Sequence, residues 1–372
     1  VDKFYNVAHP ILNGNEKKYV TDCLDSTWIS SNGAYINRFE EEFAKFCDTN
    51  HAISCSNGTT ALHLALIAHD IKADDEVIVP TFTFVATANA VSYCGAKPVF
   101  VDSEPDTWNM NPRLIEDKIT SRTKGIIVVH LYGHPADMDP IMEIANKHGL
   151  FVIEDAAEAM GAEYKGRKVG SIGHSAIFSL FGNKIITTGE GGMVTTNDAS
   201  ISRQVRLLKG QGMDPNHRYW HLIIGYNYRM TNIQAAIGCA QLENIDWHIG
   251  QRLRIAELYR KNLSSLQAVT LPSQKDWAKN VYWLYSIILN QTTEQQRDEI
   301  RTRMLQKGIE TRPFFYPMHV LPPYRHLQSL SEFPEANRIC SQGINLPSYG
   351  SLTDEDIQTI SSSLIDIMSE QI

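Results

Sequence analysis

The sequence predicts an α/β protein in which a mostly parallel central sheet is covered by helices, with a smaller C-terminal α+β domain behind it. Three observations carry this. Four short apolar runs recur about 20 to 28 residues apart: Glu76-Val77-Ile78-Val79-Pro80, Lys97-Pro98-Val99-Phe100-Val101-Asp102, Gly125-Ile126-Ile127-Val128-Val129-His130 and Leu150-Phe151-Val152-Ile153-Glu154-Asp155. Helical patterns over 86–94 and 140–148 lie between them, as βα units require. The third is length, since 372 residues exceed one small core and suit two domains. We expect a large domain over 1–245 and a small one over 246–372.

Taken in order, 16–24 reads as a short helix and 28–33 as a loop. Ile36, Phe39, Phe43 and Phe46 then recur at helical spacing, with Glu40, Glu41 and Glu42 on the other faces. A short strand over 51–54 runs into Ser56-Asn57-Gly58-Thr59-Thr60 and the apolar helix that begins Ala61-Leu62-His63-Leu64. Strand, small polar residues and helix in that order point free backbone N–H groups and the positive end of a helix dipole at an anion such as a phosphate. The same residues also fit a plain N-cap by Ser56 or Asn57. Ligands of parallel sheets bind outside the carboxyl ends of the strands. Asp155 closes one such strand, where a carboxylate is either a ligand partner or the N-cap of a helix over 156–160.

Lys184 follows Ser179-Leu180-Phe181-Gly182-Asn183 and precedes Gly189-Glu190-Gly191-Gly192. Low backbone bulk on both sides lets its amine enter a cavity, although a lysine among glycines alone also fits a solvated surface charge. Residues 191–197 turn into a further strand, 201–208 form a basic helix, and 211–228 form an aperiodic aromatic loop of a length that is usually functional or interfacial. A helix spans 232–263, and the domain boundary near 245 falls inside it. A strand over 281–289 and helices over 298–307 and 354–368 make up the small domain. Between them lies Thr311-Arg312-Pro313-Phe314-Phe315-Tyr316-Pro317-Met318-His319, whose prolines suit neither a helix interior nor a central strand.

Composition narrows the function classes. Apolar residues make up 43% and charged residues 20%, an ordinary globular balance. A formal charge of -8 argues against a broad nucleic-acid face and leaves room for a local phosphate pocket. Cysteines 23, 47, 55, 94, 239 and 340 form no C-x-x-C pair, so neither a metal site nor a disulfide framework is expected and a reducing compartment fits. No run approaches the roughly 18 apolar residues of a membrane helix, and the opening residues lack a signal core. The expectation is a cytoplasmic protein with no membrane or nucleic-acid partner.

The turn at 57–60, the carboxylate at 155 and the lysine at 184 together supply what a pyridoxal phosphate enzyme needs. They provide an anion cradle, a negative partner for the pyridine nitrogen and an amine for a Schiff base. Around them, Ser56-Asn57-Gly58-Thr59, Pro80-Thr81-Phe82-Thr83-Phe84, Glu154-Asp155-Ala156-Ala157-Glu158-Ala159, Phe181-Gly182-Asn183-Lys184, Gly189-Glu190-Gly191-Gly192 and Gly225-Tyr226-Asn227-Tyr228-Arg229 carry a resemblance over nearly the whole chain. They resemble segments of the fold-type I sugar aminotransferases of the DegT/DnrJ/EryC1/StrS family.

That resemblance implies a PLP-dependent transferase fold of type I, pyridoxal 5′-phosphate as cofactor, a nucleotide-sugar substrate and L-glutamate as amino donor. By position, Lys184 would form the Schiff base and shuttle the proton, and Asp155 would keep the pyridine nitrogen protonated. Phe84 would stack on the ring, Gly58, Thr59 and Ser179 would bind the phosphate, and Asn183, next to the lysine, would be a further cofactor contact. Asn227 would reach the phosphate of a neighbouring subunit, which implies a homodimer with shared active sites, or a tetramer of two such dimers. Glu158 stands where many relatives carry glutamine or histidine near the cofactor's phenolic oxygen. Arg229, Arg312, Tyr316 and His319 are candidate substrate contacts. Arg218-Tyr219-Trp220-His221 and the 312–319 segment resemble most the branch that aminates C4 of GDP-4-keto-6-deoxymannose. The alternatives are a dTDP- or UDP-linked keto sugar aminated at C3 or C4, and a non-catalytic binding protein, which would have no physical need for all three features. A lysine at 184 also argues against the dehydratase relatives, which carry histidine there.

Overall fold

The computed structural model describes residues 3–370. Its main sheet has seven strands: β1 (His51–Cys55), β2 (Glu76–Pro80), β3 (Lys97–Val101), β4 (Thr123–Val129), β5 (Phe151–Asp155), β6 (Ser175–Ser179) and β7 (Gly192–Thr196). Their order across the sheet is β1-β7-β6-β5-β4-β2-β3. Only β7 runs against the rest, pairing antiparallel with both β1 and β6.

Side chains alternate across the pleat, so each strand feeds two cores. Val77, Val79, Ile127, Val129, Ile153 and Phe178 pack on one face with residues of helices Ala34–Phe46 and Gly58–Ala68. Ile78, Ile126, Val128 and Val152 pack on the other with Met138, Ile141 and Ala145 of helix Met138–His148. Burial on both faces is why these strands are apolar along their length.

A second, antiparallel sheet is ordered Val269–Thr270, Tyr285–Leu289, Gly343–Leu346, Arg312–Pro313. Helices Ile245–Leu263, Glu294–Gln306 and Asp354–Ser369 build its own core around Tyr259, Ile287, Ile300 and Leu364.

Several elements differ from the sequence expectation. The helix expected over 232–263 is two helices, Asn232–Glu243 and Ile245–Leu263, broken at Asn244 with φ -105° and ψ 13°. Residues 281–284 do not join the strand, because Tyr282 has φ 46° and its N–H donates to Asn280 Oδ1 at 2.8 Å, a turn. Residues 156–160 form turns and no helix. Helix Pro334–Gln342 and strand Gly343–Leu346 were not expected. The helix has no local side-chain cap; instead Asp102, just past β3, accepts the N–H groups of Glu335 at 3.0 Å and Ala336 at 2.9 Å. Among the described residues, all six cysteines are free, no metal-binding cluster occurs and no helix is long and apolar enough to cross a membrane.

Candidate active site

The carboxyl ends of β5 and β6 and the turn after β1 converge on one side of the sheet. At the end of β1, Asn57 caps helix Gly58–Ala68: its Oδ1 accepts Thr60 N–H at 2.8 Å, and Thr60 Oγ1 accepts Asn57 N–H at 3.2 Å. This reciprocal cap leaves the amides of Gly58 and Thr59 without a protein acceptor among the described residues, so the cap and the anion cradle coexist in one turn. The approach is close. A Cβ on Gly58 would lie 2.9 Å from Ser179 Cβ at the end of β6, and one on Gly192 of β7 would lie 2.3 Å from the Asn57 carbonyl oxygen.

Asp155 is 5% exposed; its Oδ2 accepts Thr87 Oγ1–H at 2.9 Å and its Oδ1 accepts Ala157 N–H at 3.2 Å. Burial pushes its carboxyl above the usual range, against these two bonds and the attraction of Lys184. Asp155 therefore caps a turn and no helix, and keeps a buried carboxyl at the carboxyl end of the sheet's central strand.

Lys184 lies in the turn that follows β6, its N–H donating to Phe181 O at 2.9 Å. Its Nζ sits 3.7 Å from the centroid of the Trp283 ring, whose Nε1–H donates to the Asn183 carbonyl at 2.8 Å. Burial lowers the lysine's proton affinity, with the carboxyls of Glu158 and Asp155 opposing. Glu158 is the reciprocal case: burial pushes it up to about 7, against Lys184 and the Tyr132 N–H it accepts at 2.7 Å. Tyr132 has φ 52°, a left-handed conformation unusual for a tyrosine, and Glu158 holds its amide there. A depressed amine beside a raised carboxyl is the arrangement of a site that exchanges protons near neutral pH.

These residues fit pyridoxal 5′-phosphate. The two free amides suit a phosphate, Asp155 suits a ring nitrogen, and the Asn183 Oδ1 is buried with no partner beside the lysine. The Phe84 side chain, on the turn after β2, is 54% exposed, with Phe315 at 5.7 Å between ring centroids.

The substrate candidates are placed less uniformly. Arg229 Nε donates to Oδ1 of the exposed Asn227 at 3.0 Å, Arg312 Nε to Glu310 at 3.1 Å, and Tyr316 Oη to Glu294 at 3.0 Å. His319 is fully buried: its Nδ1 meets Thr81 Oγ1 at 2.6 Å, its Nε2 meets Asn337 Oδ1 at 2.9 Å, and it stacks on Phe333. Nδ1 thus holds the turn at Thr81 while Nε2 is taken by Asn337, and neither nitrogen faces open space. Three residues of the site were not anticipated: Thr87, Tyr132 and Trp283. A threonine in the first turn of the helix after Phe84 was the one available signal; Tyr132 and Trp283 reach the site from far along the chain.

The profile of the DegT/DnrJ/EryC1/StrS aminotransferase family matches residues 10–365. The chain is 52% identical over 364 residues to the GDP-perosamine synthase of Caulobacter vibrioides, covering 98% of each chain. It is 50% identical over 369 residues to that of Escherichia coli O157:H7, covering 99% of this chain and 100% of the other. Among solved structures, DesV of S. venezuelae, crystallised with a ketimine intermediate, superposes with a TM-score of 0.89 at 34% identity, over 95% of this chain and 94% of that one.

Proposed function

The chain belongs to the DegT/DnrJ/EryC1/StrS aminotransferase family, and on that premise we propose that it moves the amino group of L-glutamate to C4 of GDP-4-keto-6-deoxy-D-mannose, giving GDP-perosamine and 2-oxoglutarate. The observation that carries the chemistry is the buried Lys184 amine, set between the carboxyls of Asp155 and Glu158 and the Trp283 ring. The sugar assignment draws on the full-length identity to GDP-perosamine synthases.

Pyridoxal 5′-phosphate, when bound, supplies a conjugated ring that accepts electrons from a breaking C–H bond. The protein does the rest. The amides of Gly58 and Thr59 and the hydroxyl of Ser179 bind the phosphate at the positive end of helix Gly58–Ala68. Asp155, fixed by Thr87 and the Ala157 amide, keeps the ring nitrogen protonated. Phe84 would stack on one face of that ring. Lys184 Nζ, made less basic by burial, takes the proton from the donor carbon and returns it to the sugar carbon. Glu158, raised by burial, would hold a proton near the phenolic oxygen, and Asn183 braces the lysine through Trp283. The large domain, 1–245, holds the cofactor, and the small one, 246–372, brings Trp283 to Lys184. Asn227, on an exposed loop, extends to the phosphate of a second copy, so the working unit is a homodimer or a pair of dimers.

The test offers purified enzyme glutamate with GDP-4-keto-6-deoxymannose and, separately, with dTDP- and UDP-linked keto sugars, and identifies the amino sugar by mass and NMR. Turnover confined to the GDP sugar with amination at C4 is expected. Efficient turnover of a dTDP or UDP sugar, with none of the GDP sugar, would overturn the substrate assignment.

A further inference from the structure

Arg252, in helix Ile245–Leu263, is 5% exposed and has no carboxylate partner among the described residues. One of its terminal nitrogens, Nη1, donates to the carbonyls of Trp283, at 3.0 Å, and Ser348. Carbonyl dipoles satisfy donors but do not neutralise a charge, and a guanidinium buried without a counter-ion is costly. Burial alone lowers its proton affinity, to about 10, so it stays charged at neutral pH. One turn earlier on the same helix, His248 is also 5% exposed, and its Nε2 is buried with no hydrogen-bond partner.

Both side chains line one small cavity, together with His9, Lys184, Thr187 and Gln241. Its volume is about 10 Å³, room for a single small guest. The wall therefore combines a guanidinium with no carboxylate in contact, an unused ring nitrogen and the chain that carries Lys184, while the carboxylate of Glu16 lies beyond Gln241, which donates to it at 2.6 Å.

We propose that this cavity is a binding site for a single halide-sized anion, held between the Arg252 guanidinium and the Nε2–H of His248. A water molecule would satisfy His248 but leave the guanidinium unneutralised; chloride does both. The site lies behind the lysine, distinct from the phosphate turn at Gly58 and Thr59, and does not depend on the sugar assignment. Because Arg252 also holds the Trp283 carbonyl, whose ring carries the Lys184 amine, the anion ties the charge balance of the small domain to the position of that amine.

The experiment uses crystals of the holoenzyme grown in bromide. An anomalous difference peak within hydrogen-bonding distance of Arg252 and His248 Nε2 is expected. Density at that place without anomalous signal, meaning water, overturns the proposal. Arg252→Met can fail to fold, so the control is His248→Phe, whose ring fills the cavity and leaves both carbonyl contacts of Arg252 intact. In solution at constant ionic strength, replacing gluconate by chloride should raise the melting temperature of the wild type and not that of His248→Phe. Equal rises in the two proteins overturn the proposal as well.

Discussion

Replacing Glu158 by glutamine isolates the most perturbed carboxyl of the site. The side chain is 4% exposed, and burial moves it from an ordinary 4.5 to about 7. At about 1.4 kcal/mol per pH unit, that displacement corresponds to roughly 3 kcal/mol of folding stability. The sign follows from proton binding. Between pH 4.5 and 7 the folded chain holds a proton on Glu158 that the unfolded chain has released, so stability is full below 4.5 and lost as pH rises through 7. Lys184 has the opposite displacement, and its contribution changes at higher pH, on approach to its ordinary 10.5. Glutamine keeps an oxygen for the Tyr132 N–H and cannot titrate. Urea unfolding of the cofactor-free proteins at a series of pH values should therefore give curves that coincide in acid and separate through pH 7. Above it, Glu158→Gln should be the more stable by about 3 kcal/mol. Parallel curves across that window would refute the reasoning, because they would mean that Glu158 carries its charge in the folded protein as readily as in water.

Other perturbations have equally direct readouts. Lys184→Ala should abolish amino-sugar formation and the visible absorbance of the bound cofactor, and a wild-type enzyme that takes up no pyridoxal phosphate would defeat the role assigned to the lysine. Asp155→Asn keeps an oxygen for Thr87 but removes the charge, and should slow turnover on the order of a hundredfold or more; steady-state rates equal to wild type would remove Asp155 from the ring nitrogen. Asp102→Ala strands the amides of Glu335 and Ala336 and should cost about 2 kcal/mol, read as a lower urea midpoint at unchanged slope. An unchanged midpoint would show that the helix needs no cap from the sheet.

Local chemistry was readable wherever it was also local in sequence. The parallel strands show as apolar runs because both faces are covered, and the turn at Asn57 shows because cap and strand are contiguous. What escaped was set by partners far along the chain. Helix Pro334–Gln342 is capped by Asp102 from across the fold and has no capping side chain before it, so its start is marked locally only by Pro334 and Glu335. The break at Asn244 carries neither glycine nor proline, and the apolar helical pattern runs on across it. Trp283 lies in an apolar run that resembles strand, yet Tyr282 turns the backbone and sends the indole to Lys184. His319 shows the reverse: an aromatic, proline-rich setting suggested a pocket, while Thr81 and Asn337 occupy both its nitrogens.

The strand β1 stands at the edge of the main sheet, and its one neighbour is β7. The phosphate turn follows directly from β1, and Gly192 of β7 packs against it. On the ribosome, then, residues 51–60 have no strand to pair with until the chain has been extended through Thr196. The half of the site that grips the phosphate is translated early and assembled late, in the same event that closes the hairpin carrying Lys184. Such a delayed, long-range closure slows folding and leaves an edge strand exposed meanwhile. Nascent chains stalled short of β7 should therefore lack the grip for the cofactor phosphate, however complete their other strands.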